Sequence, residues 1–186
     1  MAEPGLLLIR GLGHSGSTIL DLALGSHPQL IGLGEAVRVL ERPRLGEEHK
    51  GPQQLRGDLR FERRCTCGEL AGDCPVWGPL LAWLPAHDDR PLAEKLNRLI
   101  EPLTATSPRW LVESFQADEQ LLEAQALGRP VRVIQLTRDV RSWVHSESRR
   151  GVERHGRGGT VGWRSMLRWW RINRRWEQRL NRSGCA

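Results

Sequence analysis

The feature that most constrains the fold is a glycine-rich turn that follows a short apolar run near the start of the chain. Residues 5–10 read Gly-Leu-Leu-Leu-Ile-Arg, and residues 11–16 read Gly-Leu-Gly-His-Ser-Gly. A short apolar run bounded by glycine is typical of a buried strand. Residues 17–25 are mostly apolar, so we expect a well-buried helix there. A strand, a glycine-rich loop and a helix in this order place backbone N–H groups around an anion.

The rest of the chain alternates between strand and helix patterns. We expect strands at 30–34, 110–112 and 131–136, and helices at 91–103, 118–127, 139–150 (with Asp139 as N-cap) and 163–180. Residues 41–62 and 151–162 are rich in glycine, proline or charge, so we expect loops there. This alternation predicts an α/β fold, with a three-layer parallel sheet in a single domain over residues 1–186.

Charge and hydropathy limit the partners. The net charge of +6 favours anionic ligands, although only Lys50 and Lys95 of the 28 basic residues are lysine and Tyr is absent. That arginine excess indicates a general compositional bias, which weakens the argument from charge. No apolar window approaches the roughly 20 residues of a membrane span, and acidic Glu3 stands where a secretory signal has a basic segment. We therefore expect a cytoplasmic protein with no membrane partner.

Two known phosphate-binding motifs fit the loop in part. It matches the G-x-x-x-x-G of a Walker A motif, but Ser17 occupies the position of the lysine, which disfavours nucleoside triphosphate hydrolysis. Gly11, Gly13 and Gly16 also form G-x-G-x-x-G, and Glu35 lies nineteen residues beyond Gly16, where a ribose-binding acid belongs. A Rossmann-type NAD-binding oxidoreductase is therefore an alternative, although that motif has no role for the loop hydroxyls.

A longer string supports a third interpretation. Residues 13–21 (Gly-His-Ser-Gly-Ser-Thr-Ile-Leu-Asp), 25–28 (Gly-Ser-His-Pro) and 34–35 (Gly-Glu) resemble the phosphosulfate-binding segment of PAPS-dependent sulfotransferases of the P-loop-like, bacterial type. Residues 133–150 resemble the 3′-phosphate-binding segment of the same family: an apolar strand, then Arg138-Asp139, then Ser146 eight residues beyond the arginine. Helical spacing places Ser142, Ser146 and Arg150 on one helix face.

The resemblance implies a function. It implies transfer of a sulfuryl group from 3′-phosphoadenosine 5′-phosphosulfate (PAPS) to a hydroxyl or amine of a small-molecule or glycan acceptor, leaving 3′,5′-bisphosphoadenosine, with no metal required. The residues implied to bind the cofactor are His14, Ser15, Gly16, Ser17, Thr18, Arg138, Ser146 and Arg150. Glu35 and His14 are the candidates for catalytic proton transfer.

The chain departs from the family pattern in several places. His14 replaces a basic residue, Ala36 replaces the second glutamate of the tyrosylprotein branch, and Gln116 replaces a lysine at a strand end. Relatives also continue to a further strand, so we expect a C-terminally incomplete domain. These departures leave open a catalytically impaired nucleotide-binding relative.

Two further clusters have several interpretations. Cys65, Cys67 and Cys74 suit a zinc site with His49 or His87, a disulfide, or a packed reduced loop; C-x-C-x₆-C is not a standard zinc spacing, so we expect the last. The C-terminal helix combines many arginines with four tryptophans, a composition that suits nucleic acid. A stripe that includes Met166, Trp169, Ile172, Trp176 and Leu180 instead predicts a core-facing side, so we expect no nucleic-acid partner.

Overall fold

A computed structural model describes residues 4–44, 46, 51–65, 67–106, 109–114, 128–155 and 162–183. The strands are β1 (Gly5–Gly11), β2 (Leu30–Gly32), β3 (Trp110–Glu113) and β4 (Val131–Leu136). The helices are α1 (Ser17–Gly25), α2 (Val37–Leu40), α3 (Pro52–Phe61), α4 (Trp77–Trp83), α5 (Leu92–Ile100), α6 (Val140–His155) and α7 (Gly162–Ser183), with 3₁₀ turns at Leu84–Ala86 and Glu101–Thr106.

The described strands form one parallel sheet in the order β2-β3-β1-β4. Leu6 of β1 is in register with Leu111 of β3 on one side and with Val131 of β4 on the other. This confirms the predicted α/β fold, its parallel sheet and the strand–loop–helix at the start of the chain. Because the strands are parallel, their carboxyl ends lie together at one edge, where ligands bind in open α/β sheets.

Helices cover both faces of the sheet. Alternate residues of a strand point to opposite faces, and Leu6, Leu8 and Leu111 pack into a core formed with α2, α3, α4 and α5. Ser114 lies an odd number of residues from Leu111 and so points to the opposite face. Its side chain donates a hydrogen bond to Asp21, which places helix α1 on that face. The layers are therefore helices, sheet and helix. Each fully buried leucine contributes about 1.5–3 kcal/mol to this core.

Helix α1 has the predicted bounds but not the predicted burial. Ile19 and Leu22 are 75% and 70% exposed, and Asp21 is the buried residue of the helix. The reason is that α1 approaches the sheet through small and polar residues: a Cβ on Gly25 would lie 3.0 Å from the backbone nitrogen of Gly32. The close backbone approach leaves the large apolar side chains on the outer side of the helix.

The loop predicted at 41–62 is wrong over most of its second half, because α3 occupies Pro52–Phe61. Arg56 explains the helix: its guanidinium is buried, pairs with Asp88 at 2.7 Å and donates to the carbonyl of Val39 at 2.8 Å. The polar composition of residues 41–62 gives no indication that Arg56 is buried, so the helix was not predicted.

The loop predicted at 151–162 is also wrong in part, because α6 continues to His155 and α7 begins at Gly162. The helix predicted at 118–127 lies outside the described residues. In α7, Trp176 and Leu180 are buried as the stripe predicts, whereas Met166 is 52% exposed. Among the helices of the described ranges, none combines the length and the apolarity that crossing a membrane needs.

Candidate functional site

The glycine-rich loop leaves the carboxyl end of β1 and is shaped by close packing and by left-handed backbone. A Cβ on Gly11 would collide with the carbonyl oxygen of Leu136 on β4, so only glycine fits there. Gly16 has φ 99° and is the N-cap of α1, and His14 has φ 69°. Glycine adopts this left-handed region without strain, whereas histidine does so at some cost.

The carbonyls of the loop are held by side chains from the β4–α6 region. The indole nitrogen of Trp143 donates to the carbonyl of Gly13 at 3.1 Å, and Nη1 of Arg138 donates to the carbonyl of His14 at 3.0 Å. Trp143 is 2% exposed. The carbonyl of Arg138 in turn accepts a hydrogen bond from the indole of Trp169 on α7 at 2.9 Å. The first two bonds fix the loop directly, and the third holds Arg138 in place from α7.

The amino end of α1 provides donors for an anion. The first amides of an α-helix have no acceptor within the helix, and α1 has no side-chain cap. Around this end, Ser15 and Ser17 are half-buried and Thr18 is exposed. Backbone N–H groups, three hydroxyls and the positive end of a helix dipole are groups that can bind a phosphate or sulfate. We call residues 11–18 the anion loop.

The structure confirms the prediction that Asp139 is the N-cap of α6. Its carboxylate accepts from the amides of Arg141 at 3.1 Å and Ser142 at 3.2 Å. These bonds, that of Ser142 first, hold the pKa of Asp139 below its ordinary value. The cap positions Arg138 directly before the helix, beside the anion loop.

The predicted 3′-phosphate residues come together only in part. Ser146 lies half-buried on α6, about one turn beyond Ser142. Within the described residues no hydrogen bond joins Ser146 to Arg138, whose guanidinium bonds the anion loop instead. The backbone of Arg150 belongs to α6, but its side chain lies outside the described residues.

Glu35 lies at the opposite end of the edge, beyond β2. Gly34 has φ 62°, and its carbonyl accepts from the amide of Ser114 at 2.8 Å, which ties this turn to the end of β3. Glu35 pairs with Arg38 at 3.3 Å; the two side chains are 47% and 55% exposed. Because β3 separates β2 from β1, Glu35 follows a strand about 10 Å from β1. We call residues 34–38 the Glu35 turn.

Asp21 connects the anion loop to the Glu35 turn and was not predicted as a site residue. It is 4% exposed and accepts hydrogen bonds from the Ser114 side chain and the Gly34 amide. Burial raises the pKa of its carboxyl above the ordinary value, and the two hydrogen bonds oppose that rise. An acid inside an apolar helix was the signal for it in the sequence.

A buried ion pair lies beneath the same edge. Nη1 of Arg10 on β1 is 3.3 Å from Oε2 of Glu113 on β3, and both side chains are fully buried. The Arg10 guanidinium also lies 5.9 Å from the ring centre of Trp176. Removing one partner of such a pair leaves an uncompensated charge. The sequence signal was an arginine that ends an otherwise apolar strand.

A cleft of about 420 Å³ opens beside Arg138, between the end of β4 and α7. Its lining residues are Gln135, Thr137, Trp169, Trp170, Asn173, Arg174 and Glu177. Trp169 is shared with the bracing of the anion loop, so the cleft adjoins that loop. Its size lies in the range of small-molecule sites, and its aromatic and polar lining suits an organic group attached to the bound anion.

Of the other residues that the sequence analysis singled out, Gln116 and His49 lie outside the described residues. His87 is stacked on Trp83 with ring centres 4.1 Å apart, and its Nδ1 lies 2.8 Å from the carbonyl of that residue. Comparison with protein-family models, with curated proteins and with solved structures finds no match to this chain.

Proposed function

We propose that this chain binds PAPS and transfers its sulfuryl group to a hydroxyl or amine of a small-molecule or glycan acceptor. The observation that carries the proposal is the hydrogen bond from Arg138 to the carbonyl of His14. This bond joins the two segments that resemble the phosphosulfate-binding and 3′-phosphate-binding parts of sulfotransferases. The two segments are 124 residues apart in the chain and adjacent in the fold.

The anion loop would hold the 5′-phosphosulfate. The amides at the start of α1 and the hydroxyls of Ser15, Ser17 and Thr18 supply donors without a Walker lysine. His14, which is exposed in this loop, would contribute positive charge when protonated. Arg138, with Ser146 and Arg150 further along α6, would hold the 3′-phosphate. Each charge-assisted hydrogen bond of this kind contributes about 1.5–3 kcal/mol.

The chemistry is an in-line displacement at sulfur. The acceptor oxygen or nitrogen forms a bond to sulfur, the bond from sulfur to the bridging oxygen breaks, and 3′,5′-bisphosphoadenosine leaves with that electron pair. A base takes the proton that the acceptor loses. Glu35 and His14 are the candidates, since both side chains are exposed at the carboxyl edge of the sheet.

Two alternative functions are an inactive nucleotide-binding protein and an NAD-dependent oxidoreductase. A nucleotide-binding protein without transferase activity is favoured by Ala36, which leaves the position of the second glutamate without a carboxylate. An NAD-dependent oxidoreductase is disfavoured by the strand order. In the Rossmann order 3-2-1-4-5-6 the first two strands are neighbours, whereas here β1 lies between β3 and β4.

Calorimetric titration of the purified chain with 3′,5′-bisphosphoadenosine, ADP and NAD tests the proposal. We expect selective binding of the bisphosphate, because only this ligand offers a 3′-phosphate to Arg138. The variant Arg138→Ala should weaken that binding at least about tenfold, the equivalent of one charge-assisted hydrogen bond.

Arg141→Ala is the matched control. The Arg141 side chain is 90% exposed and pairs with Asp139, three residues from Arg138 in the chain. The Arg141→Ala substitution removes the same charge as Arg138→Ala and should leave bisphosphate affinity within about twofold at moderate salt. Equal binding of ADP, a preference for NAD, or equal losses in the two variants would each contradict the proposal.

A further inference from the structure

Three cysteine side chains that the proposed transfer does not use converge at one point. The sulfur atoms of Cys65, Cys67 and Cys74 all lie within 4.8 Å of one another, and those of Cys65 and Cys74 are 3.5 Å apart. In a tetrahedral zinc site, a zinc–sulfur distance of about 2.3 Å separates neighbouring sulfurs by roughly 3.8 Å. The spacing of the three thiols is therefore close to that of three corners of such a site.

A tight turn presents the first two thiols. The amide of Cys65 donates to the carbonyl of Glu69 at 2.8 Å, and the amide of Gly68 donates to the carbonyl of Cys65 at 2.9 Å. Gly68 has φ 95°, a conformation that glycine adopts without strain. Arg64 and Leu70 close the turn through an antiparallel bridge. This backbone directs two sulfurs that are two residues apart toward the same point.

The third thiol comes from the segment that leads into α4. Cys74 is 2% exposed, and the backbone amides of Val76 and Trp77 donate hydrogen bonds to its sulfur. Two backbone N–H donors therefore fix the position of this sulfur beside that of Cys65.

Neither a packed reduced loop nor a disulfide explains all of these features. Cys67 is exposed, so the cluster is not simply part of the apolar core. A disulfide between Cys65 and Cys74 would use two sulfurs and would not explain why the sulfur of Cys67 lies beside them. Two amide donors at Cys74 add nothing to apolar packing.

We propose that Cys65, Cys67 and Cys74 bind one zinc ion through three thiolates. The ion would join the 64–70 turn to α4, whose Leu80 and Leu81 belong to the main core. In the described part of the chain no fourth His, Cys, Asp or Glu belongs to the cluster, so water would take the fourth position. The proposal is independent of the transferase proposal, because sulfuryl transfer requires no metal.

Elemental analysis of the untagged full chain, purified under reducing conditions without chelator, tests this assignment. We expect about one zinc per chain, and a loss of it in Cys67→Ser. Cys67 is exposed, so this variant leaves the core unchanged. Replacing a group outside the ligand sphere already costs roughly 10–100-fold in metal affinity, and removing a ligand should cost more. Cys185→Ser removes the remaining cysteine and is the control that keeps the metal.

Cobalt substitution gives a second readout. The Co²⁺-loaded chain should show the intense visible and sulfur-to-metal charge-transfer bands of a tetrahedral thiolate site, and Cys67→Ser should lose them. Three thiols should react slowly with a disulfide reagent until a chelator is added. A metal-free chain, a Cys65–Cys74 disulfide in the chain purified this way, or equal zinc loss in Cys67→Ser and Cys185→Ser would overturn the proposal.

Discussion

The two ends of the carboxyl edge of the sheet are held in different ways. The anion loop is fixed through its own backbone, because a buried tryptophan and an arginine donate to the carbonyls of Gly13 and His14. The Glu35 turn projects the carboxylate of Glu35 into solvent, where a 3.3 Å ion pair with Arg38 holds it. Exposed pairs of this kind contribute about 0–1 kcal/mol. One end is therefore preorganised, and the other is free to change partners when an acceptor binds.

The difference matches the roles proposed for the two ends. Binding a fixed anion gains from donors that are already in place. Proton transfer to a carboxylate instead needs a group that can release Arg38 and turn toward an incoming hydroxyl or amine. Asp21 couples the two ends through Ser114 and Gly34, so the geometry of one constrains the backbone of the other.

The largest expected effect is on turnover, when Glu35 is replaced and the anion loop is left unchanged. Glu35→Gln keeps the size of the side chain and removes the carboxylate, which we propose as the base ahead of the alternative His14, so turnover of PAPS should fall by roughly 10²–10⁴-fold. Bisphosphate affinity should stay within about twofold, because the anion loop is unchanged. Steady-state assay of bisphosphate release, together with calorimetry, measures both quantities.

Glu94→Gln is the control for that substitution. Glu94 is as exposed as Glu35, at 47%, and pairs with Arg90 in a similar way, but it lies on α5. The turnover of Glu94→Gln should equal that of the unchanged chain. Equal turnover in Glu35→Gln would assign Glu35 a purely structural role and leave His14 as the base.

The second prediction breaks the preorganised end. Gly11→Ala places a Cβ against the carbonyl of Leu136, so the ends of β1 and β4 must separate. We expect a loss of about 2–3 kcal/mol in the free energy of unfolding, as for other overpacked sites, and a loss of bisphosphate binding. Urea denaturation and calorimetry measure the two effects.

Gly13→Ala provides the contrast within the same loop, since a Cβ there would meet no atom within 4 Å. Its stability should change by less than about 1 kcal/mol. If Gly11→Ala were as stable as Gly13→Ala, the tight junction of β1 and β4 would not exist as described.

The smallest expected effect concerns the link between the two ends. Burial raises the pKa of Asp21, so the folded chain keeps this proton to higher pH than the unfolded chain, whose value is near 3.8. The stability contributed by the protonated carboxyl is complete below 3.8 and decreases as pH rises through the raised pKa. Asp21→Asn does not titrate and escapes that decrease.

Urea midpoints for the two proteins from about pH 4 to pH 7 measure this difference. The stability of Asp21→Asn relative to the unchanged chain should increase with pH over this range. A stability of Asp21→Asn, relative to the unchanged chain, that decreases as pH rises would mean that the Asp21 pKa is lowered rather than raised.

The sequence predicted the parts of the fold that depend on local pattern. The strands Gly5–Gly11 and Val131–Leu136, the bounds of α1 and the Asp139 cap all follow from runs of apolar residues or from one side chain and its neighbours. It failed where a distant partner decides the outcome. Arg56 anchors α3 only because Asp88 lies beside it, and α1 exposes Ile19 and Leu22 because its contact with the sheet runs through Asp21 and Gly25.

The same division holds at the candidate site. The glycine-rich loop and Arg138 stand out as local motifs, whereas their junction through the His14 carbonyl depends on the strand order. Trp143 reads as an ordinary core residue until its bond to Gly13 is known. Convergence of Cys65, Cys67 and Cys74 likewise depends on how the 64–70 turn meets α4, which their spacing does not encode.

Amide hydrogen exchange with and without saturating 3′,5′-bisphosphoadenosine tests the central claim most directly. We expect slower exchange at the amides of residues 16–19, which have no acceptors within the helix, and at the start of α6 beside Arg138. Residues 34–38 should exchange at an unchanged rate. Protection confined to residues 34–38, or no protection of the anion loop by a ligand that binds, would contradict it.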